Sequence, residues 1–199
     1  MKTAYAFLGV IFVLIVAGAF LLGQVEESTE DTPRYSNNQI TMALTLTSPV
    51  FSSNEEIPSK YTCDGENTSI PLYIGNVPND AKSLVLIMDD PDIPQEVKMS
   101  MGIDTFDHWI LYNIPPQTTV VDEGVIVGTL GLNTSGEARY TGPCPPPQYK
   151  PKEHRYIFKL YALSDTINFT DVPTKEDILK AISNIIITET ELIGRYVRQ

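Results

Sequence analysis

Hydrophobic and polar residues alternate along several short stretches of the chain, with the two-residue period typical of strands. Residues 41–47 alternate as a half-buried strand does, and residues 155–163 alternate strongly and are rich in aromatic and β-branched side chains. Residues 83–88 are instead continuously apolar and stop at Asp89, which predicts a central strand that ends in a polar loop. Residues 108–114 predict another strand, closed by two prolines.

Helical signals are few and come late in the chain. Thr174 to Asp177 follow Pro173 and precede two apolar residues, which is typical of a helix N-terminus. Residues 185–197 fit either a helix or a strand, and we favour a strand. Many strands, 15 prolines and one short late helix predict a mostly β, β-sandwich-like domain with short peripheral helices.

An almost unbroken apolar segment, residues 3–23, is long enough to cross the hydrocarbon core of a membrane. Lys2 precedes it and acidic residues follow it, so the rest of the chain is expected outside the cytoplasm. The segment is either an uncleaved anchor or a signal peptide cleaved near residues 17–19. We favour the anchor, because residues 20–22 continue the apolar run. Secretion after cleavage is the alternative, and both readings export the domain.

The remainder of the chain divides into a linker and one domain. Residues 24–40 are polar and acidic, as in a solvated linker, and residues 41–199 have the length of an ordinary domain. The chain carries a formal net charge of -11 and contains no Lys/Arg-rich run. Such a surface repels phosphate backbones, so a nucleic-acid partner is not expected.

Three polar clusters follow strands or lead into them, where binding sites are commonly built. They are residues 89–94, the pair His108 and Trp109, and two neighbouring stretches at 140–146 and 154–156. The only two histidines of the chain lie in these clusters. Each cluster alone has a structural explanation, because Asp-Pro-Asp is a common turn composition and a proline-rich segment can simply be a stiff loop.

Taken together and in this order, the clusters resemble the motifs of the phosphatidylethanolamine-binding protein family, in its bacterial and archaeal Raf-kinase-inhibitor-like branch. The resemblance runs from Thr41 to Arg198, and its motifs are residues 61–67, 90–94, 108–109, 142–146 and 154–156. It implies a two-sheet β fold with a small surface pocket for anions such as phosphate, acetate or a phospholipid headgroup.

The resemblance also implies the ligand-binding residues, which are Asp90, His108, Gly142, Pro143, His154 and Tyr156. Backbone N–H groups of Gly142–Pro143 are expected to face an anion, with histidine and tyrosine donors beside them. Asp90 is expected to orient a histidine, since its own charge repels an anion. Asp92 and Pro94 are expected to shape the loop. The loop after Gly142 is proline-rich and spaced differently from animal members, so headgroup specificity does not carry over.

Cys63 and Cys144 are the only cysteines, and both lie in motif segments. In an exported protein two cysteines readily pair, so we expect a disulfide that tethers the turn at Asp64 and Gly65 to residues 142–146. Two separate buried thiols are the alternative.

Binding is favoured over catalysis as the function. Two histidines and a carboxylate could form a metal site or an acid–base pair. However, the chain has no Gly-x-Ser-x-Gly, no His-Glu-x-x-His and no Gly-rich phosphate loop. We therefore expect no enzyme activity, catalytic residue, metal or cofactor. The expected partner is a small anion or phospholipid headgroup, and the alternative is a protein partner such as a serine protease or signalling protein.

Overall fold

The computed structural model describes residues 42–198, so the predicted membrane segment and linker lie outside the described residues. The elements are β1 (Thr45–Thr47), a short 3-10 helix (Ser59–Tyr61), β2 (Leu72–Gly75), β3 (Ser83–Asp90), α1 (Gln95–Met101), β4 (Phe106–Ile114), β5 (Val120–Val121), β6 (Thr129–Leu130), β7 (Glu153–Leu163), α2 (Lys175–Ile182) and β8 (Ile186–Val197). Within residues 42–198, no helix is both long and apolar enough to span a bilayer.

The strands form two antiparallel sheets, as the β-sandwich prediction requires. The smaller sheet has the order β1-β2-β5, and the larger has the order β6-β4-β3-β7-β8. The larger of the two hydrophobic clusters contains apolar residues from both sheets. β3 is the middle strand of the larger sheet, which confirms the prediction of a central strand that ends in polar residues.

The continuous apolar sequence of β3 is explained by burial on both of its faces. Leu84, Leu86 and Met88 belong to the larger cluster. Val85 and Ile87 belong to a second cluster, which also contains the buried residues of α2. Because successive side chains of a strand point to opposite faces, every residue of β3 lies in an interior, and the sequence does not alternate.

The late helix and the last strand are confirmed. Thr174 caps α2, because its Oγ1 accepts a hydrogen bond from the Asp177 N–H (3.3 Å) and the Asp177 carboxylate accepts one from the Thr174 N–H (3.0 Å). This reciprocal pair is a capping box. The ambiguous segment forms β8, which pairs along its length with β7.

The expectation of short peripheral helices is confirmed, but α1, which lies between β3 and β4, was not located from the sequence. α1 has seven residues, none of them buried, and its N-cap is Pro94, which offers no capping side chain. The sequence therefore shows neither an apolar stripe nor a cap at this position. β2, β5 and β6 were also not predicted, because strands of two to four residues are too short to show a period.

Candidate functional site

The strand directions bring the motif segments together at one edge of the larger sheet, the edge formed by the ends of its strands rather than by an outer strand. β3 runs antiparallel to both β4 and β7. The C-terminal end of β3 therefore lies beside the beginnings of β4 and β7. In the pairing, Asp90 is opposite Phe106 of β4, and Asp89 is opposite Ile157 of β7. Residues that are far apart in sequence thus meet at this edge.

A cavity of about 220 Å³ opens at this edge, and we call it the edge cavity. It is lined by Asp90, Ile93, Pro94, Val97, Phe106, His108, Thr141, Gly142, Cys144, Pro145, Pro146, His154 and Tyr156. Of the eight residues expected to bind the ligand or shape the pocket, the structure brings six to this wall. Pro143 and Asp92 lie outside the lining.

A β-bulge directs His108 toward the edge cavity. Met88 pairs with Trp109 and the next residue, Asp89, pairs with Asp107, so one step along β3 corresponds to two along β4. His108 is the extra residue. A bulge changes the direction of a side chain relative to the regular alternation, and bulges recur beside functional sites. Hydrophobic patterning along β4 gives no sign of this irregularity.

The His108 ring is fixed by Thr141 and stays neutral. Its Nδ1 lies 2.7 Å from the Thr141 carbonyl oxygen, and the Thr141 N–H donates to the His108 carbonyl oxygen at 2.9 Å. Because a carbonyl can only accept, Nδ1 is the donor. Burial lowers the pKa of His108, although the Thr141 carbonyl and Asp90 oppose that shift. The neutral ring then presents Nε2 as an acceptor, and Nε2 has no hydrogen-bond partner within residues 42–198.

His154 and Asp90 form a buried pair. His154 Nδ1 lies 2.6 Å from Asp90 Oδ2, and the two side chains are 1% and 4% exposed. His154 Nε2 lies 3.2 Å from the Pro151 carbonyl oxygen. Both ring nitrogens thus face oxygen atoms, and the Asp90 carboxylate fixes the orientation of the ring. The other Asp90 oxygen accepts from the Asp92 N–H at 2.8 Å.

Tyr156 supplies a buried hydroxyl to the cavity wall. Its ring meets the His108 ring edge to face, with centroids 5.2 Å apart. The hydroxyl makes no hydrogen bond of ordinary geometry with any residue in the range 42–198, although Asp90 and the Cys144 backbone are near enough to influence its pKa. Burial raises the pKa of Tyr156 far above the usual value, so the group remains a neutral donor. A buried donor without a partner is uncommon and calls for an explanation.

The expected role of the Gly142–Pro143 backbone needs correction. The Gly142 N–H donates to Asn67 Oδ1 at 2.7 Å, and Pro143 has no N–H. The Pro143 carbonyl accepts from the Cys63 N–H at 3.1 Å. This pair therefore offers no N–H to an anion. Gly142 is needed for space, since a Cβ there would lie 2.3 Å from the Tyr61 carbonyl oxygen.

Asn67 is a site residue that was not predicted from the sequence. Its contribution to stability can be tested against Asn76 as a matched position. Asn67 and Asn76 both have left-handed backbones, with φ of 56° and 55°. Alanine strains both positions alike and removes one side-chain hydrogen bond from each, the exposed bond of Asn76 to the Ala43 carbonyl (3.1 Å) or the bond that satisfies the buried Gly142 N–H. We expect Asn67→Ala to lower the free energy of unfolding by about 1–3 kcal/mol more than Asn76→Ala in urea titrations, because only Asn67→Ala leaves a buried donor unpaired. Equal losses would mean that the Gly142 bond contributes no more than the exposed bond of Asn76.

Asp92 fastens the loop after β3 to β7 from outside the cavity. Its carboxylate accepts hydrogen bonds from the Arg155 main-chain N–H (2.9 Å), Nε (2.8 Å) and guanidinium terminus (2.7 Å). These bonds lower the pKa of Asp92. Pro94 ends the same loop, lines the cavity and precedes α1.

The predicted disulfide is confirmed. Cys63 and Cys144 are bonded, with their Cα atoms 5.4 Å apart, so the alternative of two separate thiols is wrong. Cys144 lines the edge cavity, while Cys63 follows the short 3-10 helix. The bond therefore ties one wall of the cavity to the segment that contains Asn67. Within residues 42–198, no group of three or more His, Cys, Asp or Glu side chains is placed to hold a metal ion.

Fold and cavity together define a two-sheet β protein with a ligand-sized cavity at one sheet edge. The family model for phosphatidylethanolamine-binding protein matches residues 47–197. The chain therefore belongs to the phosphatidylethanolamine-binding protein family, which confirms the resemblance seen in its motifs.

Relatives with similar sequence and structure come from bacteria and archaea. A UPF0098 protein of Methanothermobacter thermautotrophicus is 43% identical over 162 residues, which cover 78% of this chain and 99% of that protein. The crystal structure of CT736 from Chlamydia trachomatis, a homologue of phosphatidylethanolamine-binding protein, has a TM-score of 0.73 and 42% identity, covering 79% of this chain and 99% of that one. The structure of E. coli YbcL has a TM-score of 0.68 and 25% identity, covering 79% and 100%.

Proposed function

We propose that the edge cavity binds the anionic head of a small ligand, of the phosphate or carboxylate type, with an apolar part of the ligand against the cavity rim. The buried Tyr156 hydroxyl without a partner carries the proposal, because a ligand oxygen would supply the missing acceptor. The lining suits an apolar arm, since it includes Ile93, Val97, Phe106, Pro145 and Pro146.

The charges around the cavity are compatible with an anion. Asp90 is the only carboxylate in the cavity lining, and its two oxygens are engaged by the His154 ring and the Asp92 N–H rather than free to face the ligand. His108 is the group that would respond to the ligand. Neutral His108 offers a lone pair at Nε2, which repels an anion, whereas the protonated ring offers a second donor beside the Tyr156 hydroxyl. Binding of an anion should therefore be coupled to protonation of His108.

This coupling predicts that anion affinity rises as the pH falls. Burial lowers the pKa of His108 in the free protein, and the carboxylates whose charges act on the ring are Asp90, Asp107 and Asp89. The bound anion stabilises the protonated His108 ring. Part of the free energy of binding is therefore used to protonate His108, and this part becomes smaller as the pH falls. Dimethyl phosphate is a suitable probe because its single negative charge does not change in this range. Its Kd should fall from about pH 7.5 to about pH 5.5, by at most about tenfold per pH unit.

Titration calorimetry on the full-length chain in a non-ionic detergent checks this prediction. Repeating it in buffers of different ionisation enthalpy measures the protons taken up on binding, with up to about one expected. His108→Asn keeps an amide near the Thr141 carbonyl and has no titrating ring, so the pH dependence should disappear. A pH dependence that survives in this variant would assign it to another group.

Tyr156→Phe separates binding from folding. Because the hydroxyl lacks a partner in the described protein, its removal should leave the free energy of unfolding unchanged or slightly higher. Affinity for dimethyl phosphate should nevertheless drop by about tenfold, the effect of one hydrogen bond to a charged group. Unchanged affinity in a folded Tyr156→Phe protein would refute the proposed site.

We further infer that the domain works outside the cytoplasm. The Cys63–Cys144 disulfide supports this location, because such bonds persist in oxidising compartments. The apolar segment at residues 3–23 supports attachment to the membrane. A phospholipid headgroup would then be within reach, and vesicles that contain phosphatidylethanolamine, compared with free dimethyl phosphate, would show whether the headgroup or a soluble anion is the ligand.

A further inference from the structure

A second and larger cavity, of about 480 Å³, lies on the other face of the larger sheet. Asp89 and Asp90 are consecutive residues of β3, so their side chains point to opposite faces, Asp90 into the edge cavity and Asp89 into this one. We call it the Asp89 cavity. Its lining comes from the end of β3, the segment between α1 and β4, the start of β4, β7 and the N-terminal half of α2.

Asp89 is a buried carboxylate with an unused oxygen. The residue is 3% exposed, and Oδ1 has no hydrogen-bond partner within residues 42–198. Its other oxygen lies 3.6 Å from Lys159 Nζ and 3.5 Å from Lys175 Nζ, which are distances of ion pairs rather than of good hydrogen bonds. A buried charged oxygen without a donor is costly, so a donor from outside the described chain would be stabilised there.

The charge of the Asp89 cavity favours a cation. Its ionised side chains are Asp89, Asp104, Asp107 and Glu176 against Lys159 and Lys175, a net charge of -2. Lys175 is already engaged by Asp107 and Thr105. Glu189 and Glu191 of β8 lie beside Lys159 and add to the negative field. Tyr161 stays neutral, because burial raises its pKa to about 12.

We propose that the Asp89 cavity binds a small organic cation, a primary ammonium or a guanidinium group, whose N–H bonds satisfy Asp89 Oδ1. An anion would add to the existing excess of carboxylates. A metal ion is not favoured, since residues 42–198 contain no group of three suitable ligands. Ile87, Tyr161 and Leu179 supply an apolar wall for the carbon chain of such a ligand. This site is separate from the edge cavity and does not depend on the anion proposal.

Calorimetric titration of the full-length chain with agmatine tests the proposal, with 1,4-bis(trimethylammonio)butane as the matched probe. Like agmatine, this probe carries two positive charges on a four-carbon chain, but it has no N–H donor. Agmatine should bind saturably and at least about tenfold more tightly than this probe, because only agmatine can donate to Asp89. Failure of agmatine to bind, or equal affinity for the two cations, would overturn the proposal.

Variants that are expected to change the affinity for agmatine in opposite directions distinguish a specific site from a general electrostatic effect. Asp89→Asn should weaken agmatine binding at least about tenfold. Lys159→Met should strengthen it, because the Lys159 ammonium competes for the Asp89 carboxylate. Glu189→Gln, which alters a charge outside the lining, should change the affinity less than about twofold. If Lys159→Met weakens binding, or if Ca²⁺ displaces agmatine in an Asp89-dependent manner, the organic-cation assignment is wrong.

Discussion

Replacing Cys63 and Cys144 with serine should lower the free energy of unfolding by about 4 kcal/mol. The bond closes a loop with a sequence separation of 81 residues. In the chain-entropy description, a cross-link that closes a loop of this length restricts the unfolded chain by about 4.5 kcal/mol. Urea unfolding of the full-length chain measures the effect as a lower midpoint.

A reducing agent provides the control for this prediction. Reductant should lower the midpoint of the wild-type protein to about that of the double serine variant, and it should not affect the variant. A loss below about 1 kcal/mol in the variant would contradict the prediction. The affinity for dimethyl phosphate should fall as well, because Cys144 lines the edge cavity and its bond to Cys63 holds that wall.

Prediction from sequence succeeded where a local pattern coincides with burial. β7 alternates because one of its faces is buried, and α2 carries its own capping box. The continuous apolar run of β3 indicated the central strand because both faces of that strand are buried. α1 has no buried residue and no capping side chain, so no local signal marks it. β2 and β5, the two strands of the smaller sheet that no pattern predicted, depend on their partners rather than on their own sequences.

The resemblance to the family predicted most of the residues that line the edge cavity, but it did not predict the contacts that each of them makes. Gly142 lies at the cavity as expected, yet its N–H is used by Asn67. The direction of an N–H depends on the path of the loop, which a single sequence does not show. His108 reaches the cavity through a bulge, and a bulge is a mismatch between two strands that neither sequence reveals alone.

The end of β3 connects the two cavities through adjacent carboxylates. Asp90 is matched by a buried histidine, whereas Asp89 is approached by two lysines at longer distances and keeps one oxygen free. Both oxygens of the edge-cavity carboxylate are therefore used within the protein, whereas the Asp89 cavity has an unused carboxylate oxygen and a formal excess of negative charge. This difference explains why opposite classes of ligand are proposed for the two faces of one strand.

Removing the Asp90 carboxylate should cost about 2–5 kcal/mol of unfolding free energy. Asp90→Ala leaves two donors without their acceptor, the ring of His154 (2.6 Å) and the Asp92 N–H (2.8 Å). Each buried donor that loses its partner costs about 1–3 kcal/mol. Urea titration of the full-length variant gives the value, and Glu153→Ala is the matched control. Glu153 pairs with Arg195 at the surface, so its loss should cost at most about 1 kcal/mol.

A double-mutant cycle shows whether the loss belongs to the pair. If the two side chains depend on each other, Asp90→Ala combined with His154→Ala should cost much less than the two single losses together, because neither side chain is then left without its partner. Additive losses would mean that each side chain stabilises the fold through other contacts. A loss for Asp90→Ala no larger than that for Glu153→Ala would mean that the buried hydrogen bonds of Asp90 contribute no more to stability than the exposed Glu153–Arg195 pair.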